Sequence, residues 1–380
     1  MCVVAHSERQ TANGEIKKIN RSNIYHLIRQ NQNLSRQDIV VQLRLSLPTV
    51  TQNLTEMMED GLIYESGIMG NTGGRSAKVY SVVKDARIAI GLDISRKYVS
   101  AVAIDLFGTI VCQKKLDLRF ERSTAYFETL GKLVEDVVAL GNLDRDKIIG
   151  VGIGVPGLIS GDGQYVYYCK VLELTDATSA EIAPYISFPT RLIHDASSSG
   201  FAEIWTNGDM RNTFYIMLNH SIGGALIIDG VVYEGENCRS AEIGHVRIVP
   251  HGRKCYCGGE GCMDPYCSSA NLSEIAGGSL KTFFQMLQEG NAQARAVWSE
   301  YLFHLASAII NVRMLIDCPI IFGGHVGEYM DPFIDELRVL VSSMDPFEDT
   351  CDYICACKYK NEAVAVGAAL TFVDAFVNSI

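Results

Sequence analysis

No stretch of this 380-residue chain approaches ~20 consecutive apolar residues, so a helical membrane span is not expected. An apolar signal core is also missing near the start, where Glu8 and Arg9 stand, so export is not expected and the chain reads as cytoplasmic. There is no excess of positive charge, the formal net charge being −11. A protein that holds nucleic acid over its whole surface would not be so acidic. Nor does the composition suit a disordered chain, with 48% hydrophobic and 20% charged residues.

The charge is uneven. Residues 1–86 carry ten Lys/Arg and eight Asp/Glu, a net of +2, which leaves −13 for the remainder. A mildly basic head on an acidic body fits DNA contact by the head alone. Cysteine is plentiful, at twelve. In a reducing compartment, clustered cysteines point to a metal more than to disulfides.

The head reads as three helices and a hairpin. Ile16, Ile19, Ile24, Leu27 and Ile28 recur at helical spacing over 16–30. Ser35 and Asp38 form a capping-box pattern that opens a second helix through Leu43. Ser46 caps a third helix, with Pro48 tolerated in its first turn, and Val50, Leu54 and Met57 share its inner face. Gly61 ends it. Two strand-like runs, Leu62–Ser66 and Ala77–Val83, flank a Gly-rich tip carrying Arg75. A tight turn before a third helix, followed by such a hairpin, is the pattern of a winged helix-turn-helix. Ser46, Thr49, Gln52 and Asn53 are the candidate contacts to base edges or phosphates in a major groove, and Arg75 the candidate wing contact. The alternative reading is a protein-docking module of the same shape.

The body begins after Ala86. Strand patterns at Ile88–Ile94, Tyr98–Asp105 and Ile148–Val155 predict an α/β lobe. The sharpest chemical signal is Cys255-x-Cys257-x4-Cys262, with His245 ten residues upstream. Three thiolates and an imidazole suit tetrahedral zinc, and Gly258-Gly259-Glu260-Gly261 lets the chain bend around an ion. Free thiols in a Gly-rich loop are the alternative. Cys267 reads as a core helix residue, and Cys351, Cys355 and Cys357 as buried apolar residues of a strand-like run.

The zinc loop, preceded by Glu242-Ile243-Gly244-His245, resembles the ROK family of repressors, open reading frames and kinases. Leu45-Ser46-Leu47-Pro48-Thr49-Val50-Thr51 and Thr72-Gly73-Gly74-Arg75-Ser76 resemble the winged heads of its repressors. The resemblance spans essentially the whole chain. It implies an α/β architecture: a winged helix-turn-helix (1–86), then an actin-like, ribonuclease H-like sugar-kinase body. That body has one lobe over 87–195, joined by 364–380, and a second over 196–363. It implies structural Zn2+ on His245, Cys255, Cys257 and Cys262. It also implies sugar contacts from His194, Asp195, Glu242, His245 and Asp264. Asp195 occupies the family's base position, His194 replaces an Asn, and Asp264 replaces a Glu.

The nucleotide side departs from the family's kinases. Asp93-Ile94-Ser95-Arg96-Lys97 stands where they carry Asp-x-Gly-Gly-Thr. Asn219-His220-Ser221-Ile222-Gly223-Gly224 and Phe322-Gly323-Gly324-His325-Val326 also lack glycines of the pattern. Side chains would then crowd the phosphates. The expectation is a non-catalytic regulator, a repressor of carbohydrate genes. Its partners would be a palindromic double-stranded operator, a sugar or sugar-phosphate effector, and a second copy, as a homodimer or dimer of dimers. The alternative is an ATP-dependent sugar kinase bearing a DNA-binding head.

Overall fold

The computed structural model describes residues 3–69, 77–206 and 210–380. The head opens with α1 (Val3–Asn31), longer than the expected 16–30. Its buried face is Ile24, Tyr25 and Ile28, while Ile16 and Ile19, expected to face inward, are more than half exposed. Then follow β1 (Leu34–Ser35), α2 (Arg36–Leu43), α3 (Leu47–Glu59), β2 (Ile63–Met69) and β3 (Ala77–Val82). The Ser35–Asp38 capping box forms, and Arg44 at φ +54° ends α2 in the left-handed region. Ser46 caps α3 through the Thr49 amide. The three strands pair in the order β1-β3-β2.

The first lobe is a five-stranded sheet in the order β11-β7-β4-β5-β6. Its strands are β4 (Ile88–Ile94), β5 (Val99–Ile104), β6 (Ile110–Leu116), β7 (Ile148–Val155) and β11 (Thr190–His194). Helix α4 (Thr124–Leu140) covers one face. A small sheet of β8 (Leu158–Ile159), β9 (Tyr165–Tyr168) and β10 (Ala177–Thr178) projects from it. The parallel neighbours β4 and β7 are nearly continuous apolar runs, as strands covered on both faces must be, while β11, at the sheet edge, is mixed.

Helix α5 (Asp195–Thr206) leads from β11 into the second lobe. Its sheet runs β14-β13-β12-β15-β16, from β12 (Thr213–Leu218), β13 (Ile222–Ile228), β14 (Val231–Val232), β15 (Ile320–Gly323) and β16 (Ile354–Ala356). The helices α6 (Asp264–Cys267), α7 (Ser269–Ser273), α8 (Leu280–Gln288), α9 (Ala292–Leu315), α10 (Gly324–Gly327) and α11 (Ile334–Ser342) complete it. Cys267, Cys351 and Cys357 are buried among apolar side chains.

The last helix, α12 (Ala363–Ser379), is clamped between β4, β7 and α5. The approach is too close for side chains. A Cβ at Gly91 would lie 1.7 Å from the Ala365 carbonyl oxygen, and one at Gly367 1.7 Å from that of Ser198. This helix also meets the head, since α1, α12 and the back of β4 and β5 share one apolar core. Arg29 of α1 lies 4.5 Å over the Trp205 ring and donates to the Leu106 carbonyl at 3.2 Å. A desolvated cation on an indole is worth up to about 2 kcal/mol, so the head is held against the body at a defined angle. Among the described residues, no helix is long and apolar enough to cross a membrane.

Candidate functional site: a metal loop beside a cleft

The segment from β14 to α6 is stitched by turns rather than by a sheet. Isolated bridges join Arg247 to Cys262 and Lys254 to Glu260. Gly261, at φ +75°, turns so tightly that a Cβ there would meet the Val249 carbonyl oxygen at 1.8 Å. These turns bring His245, Cys255, Cys257 and Cys262 together, with their ligand atoms all within 4.8 Å of one another. Cys255 Sγ is 3.6 Å from His245 Nδ1, and the Cys257 and Cys262 sulfurs are 3.8 Å apart. The four side chains could hold one metal ion. His245 Nε2 is then left facing the Tyr256 hydroxyl at 3.4 Å.

Beside this loop lies a cavity of about 60 Å³, lined by His194, Asp195, Glu242, His245 and Tyr256 among others. Asp195 starts α5, where its Oδ1 accepts the Ala196 amide at 2.8 Å. A helix N-terminus favours a carboxylate there. Burial nevertheless pushes the Asp195 carboxyl above its ordinary range, with His194 opposing the shift. His194 Nε2 is 3.3 Å from Asp195 Oδ1, and its Nδ1 is 3.1 Å from Ser197 Oγ. Asp264 is placed differently from the expectation. It is buried, its Oδ2 accepts the Ile222 amide at 2.7 Å, and it does not line the cavity. One of its two carboxylate oxygens is thereby engaged by the β13 backbone.

Sequence reasoning missed two contributors. Tyr256 closes the cavity wall, and Lys170, from the first lobe, donates to its carbonyl at 2.8 Å across the cleft. Nothing in a lone Tyr or Lys signalled these roles.

The nucleotide side of the cleft contains side-chain contacts that the motifs alone did not anticipate. Ser95 closes the β4–β5 turn by accepting the Lys97 and Tyr98 amides, and Arg96 and Lys97 point to solvent. Tyr98 donates to Asp93 Oδ2 at 3.1 Å and comes within 3.4 Å of His325 Nε2 from the second lobe. Lys115 lies 3.8 Å over the Tyr98 ring. Asn219 Oδ1 accepts the His325 amide at 2.7 Å. Asp93 is pushed up to about 7, chiefly by burial and then by Asp195.

On the head, Ser46 and Gln52 are exposed, and the Ser46 and Thr49 hydroxyls share a hydrogen bond of 2.8 Å. Gln52 donates to Glu56 at 3.0 Å. Asn53 corrects the expectation of a base contact. It is 2% exposed and donates to the Thr49 carbonyl at 2.8 Å, so it packs in the head's core rather than on the outer face. Arg75 lies outside the described residues.

A model of the ROK family matches residues 89–375. The chain belongs to the ROK family. A winged helix-turn-helix DNA-binding model matches residues 18–64 of this ROK protein. The xylose repressor of Bacillus subtilis (strain 168) is 26% identical, over 68% of this chain and 67% of the relative. The DNA-binding transcriptional dual regulator NagC of Escherichia coli (strain K12) is 25% identical, over 71% and 67%. A solved ROK family transcriptional regulator, described as a homologue of the E. coli MLC protein, superposes with a TM-score of 0.77 at 22% identity. That match covers 96% of this chain and 97% of the other, so head and body together share one architecture with it.

Proposed function

We propose that the protein is a sugar-responsive transcriptional repressor whose kinase-like body binds an effector without phosphorylating it. Residues 1–86 act as the DNA-binding head, 87–195 with 364–380 as one lobe, and 196–363 as the other. The observation that carries the reading is the contrast across one cleft on a chain with a winged head. Polar groups line a small cavity beside the metal loop, which a parting of the lobes would enlarge, while Tyr98 and His325 meet where a nucleotide's phosphates would have to enter. The repressor names of the relatives support it.

The donor set and spacing suit zinc. Tetrahedral zinc, with Zn–S of about 2.3 Å and Zn–N of about 2.0 Å, sets neighbouring sulfurs about 3.8 Å apart and nitrogen to sulfur about 3.6 Å apart. Two of the six observed separations are 3.8 and 3.6 Å, and all six lie within 4.8 Å. Zinc would supply a fixed anchor for the loop. His245, tied through Nδ1, turns Nε2 toward the cavity, and Glu242 and Asp195 accept hydroxyl protons of the sugar. Asp264 then supports the β13 turn rather than the ligand.

Phosphoryl transfer depends on positioning the phosphates and neutralising their charge. The Asp195 carboxylate alone does not supply this, so turnover is expected to be negligible. On DNA, one head reads only a few base pairs. Two heads of a homodimer would address half-sites spaced by about 10 bp or a multiple. Ser46, Thr49 and Gln52 present polar groups to the groove, with Arg75 as the wing contact.

A thermal-shift screen of sugars against the full chain, followed by operator-binding titrations with each hit, tests the reading. A hit that stabilises the protein and changes operator affinity supports it. Sugar-dependent ATP consumption at ordinary kinase rates overturns it in favour of a kinase.

A further inference from the structure

The cleft region holds a second and larger cavity, of about 400 Å³. Gly157, His194 and Glu242 line both it and the 60 Å³ cavity beside the metal loop. Small-molecule sites usually fall between about 300 and 1,000 Å³, so the larger cavity is ligand-sized as it stands. The smaller one needs the lobes to part before it can admit a sugar ring.

The lining of the larger cavity defines what it would take. Its lining includes three carboxylates, Glu234, Glu242 and Asp374, against one guanidinium, Arg191, which is already held by the Gly161 carbonyl. A phosphate or carboxylate ligand would meet net repulsion there. The remaining polar groups are hydroxyls and amides, among them Ser240 and Asn378. At the same wall, Ser198 is buried and its Oγ has no hydrogen-bond partner.

The floor is made by α5 and α12, the helices that carry the head. Ser197, Ser198 and Phe201 come from α5, whose Trp205 lies under Arg29. Thr371, Asp374, Ala375 and Asn378 come from α12. Asp374 also faces the head: burial pushes its carboxyl up, while Asn378, Arg29 and His26 pull it back.

We infer that this cavity is a binding site for a second, uncharged glycosyl unit, so that the effector is a disaccharide or glycoside spanning both sides of His194 and Glu242. The inference rests on the sugar-effector reading of the cleft. One ring sits between Asp195 and His245. The other sits on α5 and α12, where it biases the angle of the head directly.

The test is calorimetric titration of the full, metal-loaded chain with matched pairs. Xylose, glucose and N-acetylglucosamine are each run beside their α- and β-linked disaccharides. At least one disaccharide is expected to bind about tenfold or more tightly than its monosaccharide, a difference of about 1.4 kcal/mol. Ala375→Trp, at an exposed α12 position on the larger cavity, is expected to abolish that advantage and leave monosaccharide affinity unchanged. Asn378→Leu, also exposed, is a second probe should the Trp variant misfold. Monosaccharides binding as tightly as every disaccharide, with both variants silent, would overturn the inference and leave the sugar reading standing. Heat from no sugar at all would overturn both.

Discussion

Around His245 the cleft keeps a small polar cavity beside the His/Cys cluster; around Asp93 side chains of the two lobes close directly on one another. His194, Glu242 and His245 line a cavity of about 60 Å³ that must widen to admit a sugar ring, and the two imidazoles are held by Asp195, Ser197 and Tyr256. Tyr98, His325, Asn219 and Lys115 are instead engaged with each other or with Asp93 across the lobes. The difference is physical rather than topological, since both sides sit at strand ends of the same fold. His325, which stands where the family's kinases carry a glycine, meets Tyr98 of the other lobe at 3.4 Å, so an interlobe contact occupies that position. The metal loop retains a rigid support for ligand groups. Signalling needs no phosphoryl transfer, because a ligand that prefers one lobe arrangement shifts the population.

The contrast between the two sides breaks most severely at the metal. Cys257→Ser is expected to reduce bound zinc from about one per chain to near zero, because metal binding and loop folding are one equilibrium. The melting temperature falls by several degrees and the sugar-induced shift disappears, because His245 loses its anchor. Metal analysis and thermal shift check this; full sugar response without metal would detach the loop from the site.

A weaker but more pointed effect is expected at Asp93. Burial raises its carboxyl to about 7 from an ordinary 3.8. The folded chain therefore holds that proton more tightly than the unfolded chain, and stability declines as pH rises from about 4 to about 7. Every tenfold difference in proton affinity between the two states corresponds to about 1.4 kcal/mol. Asp93→Asn removes the buried charge, so it is expected to raise the melting temperature at pH 8 and leave it nearly unchanged at pH 5. Equal effects at both pH values would show that Asp93 is not held protonated by the filled side of the cleft.

The smallest effect is expected on the head. Gln52→Ala should weaken operator binding by about 1 kcal/mol, the low end for a base contact, because Gln52 must first leave Glu56. Asn53→Ala should act differently, lowering stability rather than base preference, because Asn53 is buried. A gel-shift series across operator variants, paired with thermal melts, separates the two.

Much of this was legible in the residues. Capping signals at Ser35 and Ser46 depend only on neighbours in sequence, and both caps form. The metal cluster was legible because its spacing is local, from His245 to Cys262. Long-range placement was not. Asn53 could have been placed from the periodicity of Val50, Leu54 and Met57, whose buried face it shares, but its polar side chain suggested a contact instead, while the adjacent Gln52 is exposed. The bond from the Ile222 amide to Asp264, 42 residues away in sequence, carried no motif of its own. The Tyr98–His325 contact spans 227 residues and carried no motif of its own.

The central claim is that this cleft binds sugar for signalling and not for chemistry. It is tested most directly by titrating operator DNA with the full chain, with and without a stabilising sugar, while ATP consumption is followed in the same samples. The account predicts a sugar-dependent change in operator affinity of about fivefold or more, with no ATP consumed above background. Sugar-dependent ATP turnover, or a bound sugar that leaves operator affinity unchanged, would contradict it.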